Sequence, residues 1–129
     1  MVKDDKPQLQ AEAQMLVSRI QQIQQEFEVL EQQFTHAQKA MQDISNLSLA
    51  DRPKAFVPVS RGIFTEAKLV DTEKFYVNVG SGIIAEKNAN DVKKLLQEQS
   101  EELRKGQHQL AANMKQLATR VREIEQKLK

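Results

Sequence analysis

With 129 residues, 29% of them charged and only 5% aromatic, the chain is too polar and too poor in bulky side chains for a large compact core. A net charge of +1 gives no electrostatic case for nucleic acid or an anionic membrane surface. The absence of cysteine excludes disulfides and thiolate chemistry.

No apolar run approaches the roughly 20 residues of a membrane-spanning helix. The opening Met1-Val2-Lys3-Asp4-Asp5-Lys6-Pro7 lacks the apolar segment of a secretory signal, so a cytoplasmic location is expected. Then a heptad seam begins. Leu9, Ala13, Leu16, Ile20, Ile23, Phe27, Leu30, Phe34, Ala37, Met41 and Ile44 follow in steps of 4 and 3, with Gln, Glu and Lys between them. This predicts a coiled-coil helix over 8–48.

From 55 to 87 the pattern changes to four short strands. The apolar runs are Phe56–Val59, Ile63–Val70, Phe75–Val79 and Ile83–Glu86. Ser60-Arg61-Gly62, Asp71-Thr72-Glu73 and Gly80-Ser81-Gly82 supply turns between them. Gaps this short fit two hairpins and not helical crossovers. Ile63, Thr65, Ala67 and Leu69 share one face, with Phe64, Glu66, Lys68 and Val70 on the other. In the third run Phe75, Val77 and Val79 oppose Tyr76 and Asn78. Pro58 cannot donate to a ladder, which marks its strand as an edge or as interrupted.

A second helix is predicted over 90–128, with a less regular seam. Val92, Leu96, Gln99, Leu103, Gly106 and Leu110 step by 4 and 3. Met114 then comes four residues on, before Leu117, Val121, Ile124 and Leu128; two successive steps of 4 make a stutter. Gly106 reads as a close helix contact near Leu30 and Phe34, with a flexible point as the alternative. From Pro7 to Asn46 five acids face two bases, a net of −3. From Asp91 to Lys129 nine bases face six acids, a net of +3. Opposite signs favour pairing modestly. Flanks that lead into and out of one hairpin region meet antiparallel, which brings both chain ends to one tip.

The fold class is therefore α+β, mainly α: a long antiparallel two-helix coiled coil with two β-hairpins at one end. Isolated hairpins are marginal in water and open edges invite other chains. Other subunits are expected to complete the sheet. The candidate assembly residues are Val57, Val59, Ile63, Phe64, Leu69, Val70, Phe75, Val77, Val79 and Ile83.

The run Val57-Pro58-Val59, with Gly62, Lys68-Leu69, Asp71, Val77, Val79-Gly80, Gly82 and Glu86-Lys87, resembles the α-class subunit of prefoldin. The helix, two hairpins, helix order extends the likeness over nearly the whole chain. Ser60-Arg61 and Ile84 depart from it, where small residues and an aromatic are frequent. The resemblance implies a complex of two α-class and four β-class chains joined through β-barrels. It further implies coiled-coil tips that hold non-native polypeptide without ATP and pass it to a group II chaperonin. β-class chains are expected to carry a single hairpin.

At the tip, Leu9, Leu16, Ile20, Leu117, Val121, Ile124 and Leu128 are expected to bury one another, and fraying would offer them to a client. Met15 and Val17 lie off the seam and widen the apolar surface; adaptable methionine suits promiscuous contacts. The plain alternative is scattered surface apolars. No catalytic, cofactor or metal site is expected. Gly80-Ser81-Gly82 is followed by a strand and lacks the Lys-Ser or Lys-Thr of a phosphate loop. His36 and His108 sit apart on different helices, and Glu26-Glu28 and Glu101-Glu102 lie on solvated faces. Lys127 and Lys129 are flank charges, or a contact for an acidic chaperonin surface. A structural adaptor that tethers one fixed folded partner is the competing function.

Overall fold

A computed structural model describes residues 2–51 and 53–129, with side chains from Lys6 onward. The order is α1 (Val2–Leu49), β1 (Lys54–Ser60), β2 (Ile63–Lys68), β3 (Lys74–Gly80), β4 (Ile83–Asn88) and α2 (Ala89–Leu128). The architecture is mainly helical, as the periodicity predicts. Helix α1 starts six residues before the predicted position and carries Pro7 within it. Pro7 has no N–H to offer the Lys3 carbonyl, so its turn is held by one bond fewer. The other end closes with a tight turn from the Ala50 N–H to the Leu47 carbonyl, 3.1 Å. Helix α2 is started by Asn88, whose Oδ1 accepts the Asp91 N–H at 2.8 Å. That is an N-cap, with Asp91 adding negative charge in the first turn.

The chain divides into two compact units. The first holds residues 1–35 and 101–129. Here the helices run antiparallel: Glu12 meets Arg120, Phe27 meets Gln107 and Glu31 meets Arg104. Ile23 and Ile124 are buried, while Leu9, Leu16, Ile20, Phe27, Leu30 and Phe34 are half-buried. The second unit holds residues 36–100. Its helical segments are also antiparallel, with Gln38 donating to Ser100 Oγ at 3.3 Å and Lys93 to Ser45 Oγ at 3.4 Å. Ala37, Ala89 and Val92 are its buried apolar residues.

The seam of α2 differs from its expected course. Gln99 is exposed, whereas Ser100 and Gln107 are each 1% exposed. The seam runs Ser100, Leu103, Gln107, Leu110, Met114, Leu117, Val121, Ile124 and Leu128, in unbroken steps of 3 and 4. The stutter moves to Val92, Leu96 and Ser100. The displacement has a cause: both polar residues find hydrogen-bond partners on α1, so burial costs them little.

Two separate antiparallel sheets, β1-β2 and β3-β4, occupy the second unit. Each carries a register shift before its turn, between Pro58 and Ser60 and between Asn78 and Gly80. In the second turn Ser81 (φ 52°) and Gly82 (φ 75°) both lie in the left-handed region, the pattern of the type I′ turn that suits hairpin twist. Leu69 and Val70 fall after β2, in the connection between hairpins, and not on a strand. The chain turns there because Asp71 Oδ1 accepts the Glu73 N–H at 2.9 Å, closing an Asx turn.

The hairpins are copies of one pattern set 20 residues apart. Lys54, Val57, Val59, Gly62, Ile63 and Glu66 recur as Lys74, Val77, Val79, Gly82, Ile83 and Glu86. The ion pairs recur with them: Lys54–Glu66 at 3.3 Å and Lys74–Glu86 at 3.1 Å. The Glu86 hydrogen bond raises the Lys74 pKa above the usual lysine range.

Candidate assembly and client surfaces

Cross-strand register sorts the hairpin residues into faces. Phe56 stands opposite Glu66 and Pro58 opposite Phe64; Tyr76 stands opposite Glu86 and Asn78 opposite Ile84. This face is open on both hairpins, with Phe56 75%, Phe64 61%, Tyr76 67% and Ile84 65% exposed. The opposite face is partly covered: Ala55 and Ala67 on the first hairpin, and Phe75, Val77 and Ala85 on the second, are half-buried. Four large apolar side chains are thus held open on these short sheets.

Of the predicted assembly residues, Val57, Val59, Ile63, Phe64, Val70, Val79 and Ile83 are exposed, Val70 most of all at 87%. Leu69, Phe75 and Val77 are half-buried within their own chain. Phe56, Tyr76 and Ile84, outside the predicted set, are exposed as well; in the 20-residue repeat Phe56 aligns with Tyr76, and Phe64 with Ile84.

In the first unit, Met15 is 73% and Val17 43% exposed. Leu9, Leu16, Ile20, Leu117, Val121 and Leu128 are half-buried. Ile124 is 0% exposed, so it can touch a client only where the helices part. Glu12 and Arg120 hold this pair together through two hydrogen bonds, 3.0 and 3.2 Å. The Arg120 hydrogen bond keeps the Glu12 carboxyl below its usual range, against a smaller opposing effect of desolvation.

Further along the same unit lies a polar knot. Gln107 donates to Glu31 Oε2 at 2.8 Å and accepts from Arg104 at 2.7 Å. Arg104 also reaches Glu31 at 2.9 Å, and its guanidinium lies 3.6 Å above the Phe34 ring. The Gln107 hydrogen bond is the main cause that lowers the Glu31 pKa; partial desolvation opposes it and Arg104 adds to it. Beside the knot, Gly106 faces Leu30, whose Cδ1 would lie 3.2 Å from an added Cβ. A side chain there would press on Leu30, which favours the packing reading of Gly106. Gly106 and Leu30 border an open groove with Gln22, Gln25, Val29 and Leu110.

Among the described residues no group of three or more His, Cys, Asp or Glu side chains is placed to hold a metal ion. Among the described residues, too, no helix is long and apolar enough to cross a membrane.

The prefoldin subunit family model matches residues 8–129. No curated protein sequence matches the chain. Among solved structures, the filamentous PFD from Methanocaldococcus jannaschii, determined by cryo-EM, is similar in fold. It is 17% identical, the match covers 89% of this chain and 96% of that one, and the TM-score is 0.79. Two long helices around paired hairpins, matched over nearly their whole length, place the chain in the prefoldin family.

Proposed function

We propose that the chain is an α-class prefoldin subunit acting as an ATP-independent holdase. Its hairpins join it to other subunits, two α-class and four β-class chains in all, through shared β-barrels. The helices then present apolar residues to non-native polypeptides, which are handed to a group II chaperonin in the cytoplasm. The observation that carries this reading is the open apolar face repeated on both hairpins, Phe56 and Phe64 with Tyr76 and Ile84. A protein meant to stand alone would cover such a face.

For the client surface, Met15 and Val17 are the exposed apolar residues beside the half-buried Leu16. The test is light scattering from a thermally unfolding enzyme mixed with the assembled complex. The double variant Met15→Ser, Val17→Ser should suppress aggregation less than wild type while the mass of the complex stays the same. Unchanged suppression would remove these two residues from the client surface. An adaptor for one fixed partner would instead ignore several unrelated unfolding enzymes.

A second reading, self-assembly into longer polymers, draws support from the filamentous form of the Methanocaldococcus protein and from the repeat. Two like edges on one chain can propagate head to tail.

A further inference from the structure

Midway along the first unit the two helices leave a groove of about 800 Å³ between them. The notch in its floor is Gly106, opposite Leu30 and with Leu110 beside it. Val29, 51% exposed, forms an apolar wall. The rim carries four exposed primary amides, Gln22 and Gln25 on α1 and Gln109 and Asn113 on α2. Among the described residues of the lining only Glu26 is charged. Arg19 lies 3.8 Å from it and donates to Gln22 at 3.2 Å, which leaves the Gln22 NH2 as a donor. The polar knot fixes the walls. Gln107, next in sequence to Gly106, donates to the Phe27 carbonyl at 3.4 Å and to Glu31 Oε2 at 2.8 Å. Gly106 is thereby pinned against α1, and the notch is formed before anything binds.

An apolar notch ringed by uncharged amides selects the chemistry of its occupant. A Gln or Asn side chain repeats the peptide group, with N–H donors and a carbonyl acceptor, so it pairs with main chain of any sequence. A helix has already spent those backbone groups on itself. A strongly charged segment would meet no counter-charge here.

We propose that this groove seats an extended segment of non-native polypeptide, with one apolar side chain in the Gly106 notch and the backbone hydrogen-bonded to the amide rim. This rests on the holdase reading and adds a second client contact to the one at Met15 and Val17. From Gln22 to Val29 the wall runs about 10.5 Å along α1, at 1.5 Å per residue. An extended chain advances about 3.3 Å per residue, so about three residues fit. Side chains alternate along such a chain: the middle one enters the notch and its neighbours point away, so only every second residue is selected. Met15 precedes Gln22 by seven residues, as Gln22 precedes Val29, so the three share one face of α1. A chain held at Met15 runs on into the groove.

The experiment uses the assembled complex and an uncharged, end-capped peptide of about ten residues, alanine and serine around one central photoreactive leucine (a diazirine). After illumination, mass spectrometry locates the adducts on this chain, which should fall around Leu30, Gly106 and Leu110. Gly106→Ala puts a methyl in the notch and should cut their yield about tenfold at subsaturating peptide, the weight of one apolar side chain left partly unseated. Alanine is the better helix former, so that loss cannot come from a weakened fold. Gln25→Glu with Gln109→Glu keeps the shape of the rim and removes its N–H donors at both positions. The yield should fall about 25-fold, at roughly fivefold for each lost bond. N-methylation of the peptide bonds flanking the leucine should likewise lower the yield on wild type.

Adducts confined to the tip, residues 9–20 and 117–128, would overturn the proposal. So would an unchanged groove yield in Gly106→Ala, in the rim variant or with the N-methylated peptide. A helix-stapled peptide of the same composition that labels the groove more strongly would overturn it too, by making the occupant a helix. Aggregation suppression by the same complex separates the two levels: tip-only labelling leaves it intact, whereas failure of the holdase reading abolishes it in wild type together with all labelling.

Discussion

Replacing Gly106 by alanine sets two effects of comparable size against each other. Within a helix, Gly→Ala is worth about 1 kcal/mol, because alanine has less backbone freedom to lose. Against it stands the new methyl, 3.2 Å from Leu30 Cδ1. Carbon atoms prefer about 3.5–4.0 Å, so Leu30 must yield by a few tenths of an ångström. It can: the atom is the far end of a flexible side chain, and Leu30 borders an open groove. The cost should stay below about 0.5 kcal/mol, so Gly106→Ala should stabilise by about 0.5–1 kcal/mol. In thermal unfolding followed at 222 nm at fixed concentration, Tm should rise by about 2–4 °C. Gly106→Val, which drives branched methyls further into Leu30, should lower it. Destabilisation by Ala would mean that Leu30 cannot move. Stabilisation by both Ala and Val would mean that Leu30 does not restrict the site at all, and the packing account of Gly106 would be wrong.

Three further outcomes follow from the side-chain geometry. Gln107→Leu should return the Glu31 carboxyl towards its ordinary range, seen by NMR titration; an unmoved Glu31 would assign the shift to Arg104 instead. The Glu12 and Glu31 carboxyl pKa values lie below their unfolded values, so their contribution is full above about pH 4.3 and is lost as pH falls through the folded values. Glu12→Gln should therefore lose less Tm than wild type between about pH 6 and pH 3, and an identical loss would discount the Arg120 pair. Phe56→Asp with Ile84→Asp should abolish subunit assembly, read as the mass of the complex, while helical circular dichroism stays; assembly at wild-type strength would shift the interface to another face.

The helices were legible because α1 repeats its apolar residues without a break and the turns carry Gly, Asp and Ser. The α2 seam was misread where polar residues fill it. Ser100 and Gln107 carry no apolar signal, and only their partners Gln38, Glu31 and Arg104, distant in sequence, explain their burial. Pattern alone preferred Gln99 and Gly106, each one residue too early. On the hairpins, alternation separates two faces but cannot say which is covered. Phe75 and Val77 were expected at the assembly surface and Tyr76 was not, yet Phe75 and Val77 are half-buried and Tyr76 is 67% exposed. Val70 illustrates a third limit: its apolar run continues from β2, yet the Asx turn at Asp71 takes it off the strand.

The central claim is that this chain, once assembled, holds unfolded polypeptide without spending ATP. Light scattering from a heat-denaturing enzyme tests it most directly, with the purified complex added in rising proportion and no nucleotide present. The account predicts a graded loss of scattering for several unrelated enzymes. Scattering that stays at its unprotected level for all of them, with the complex intact by mass, would contradict it.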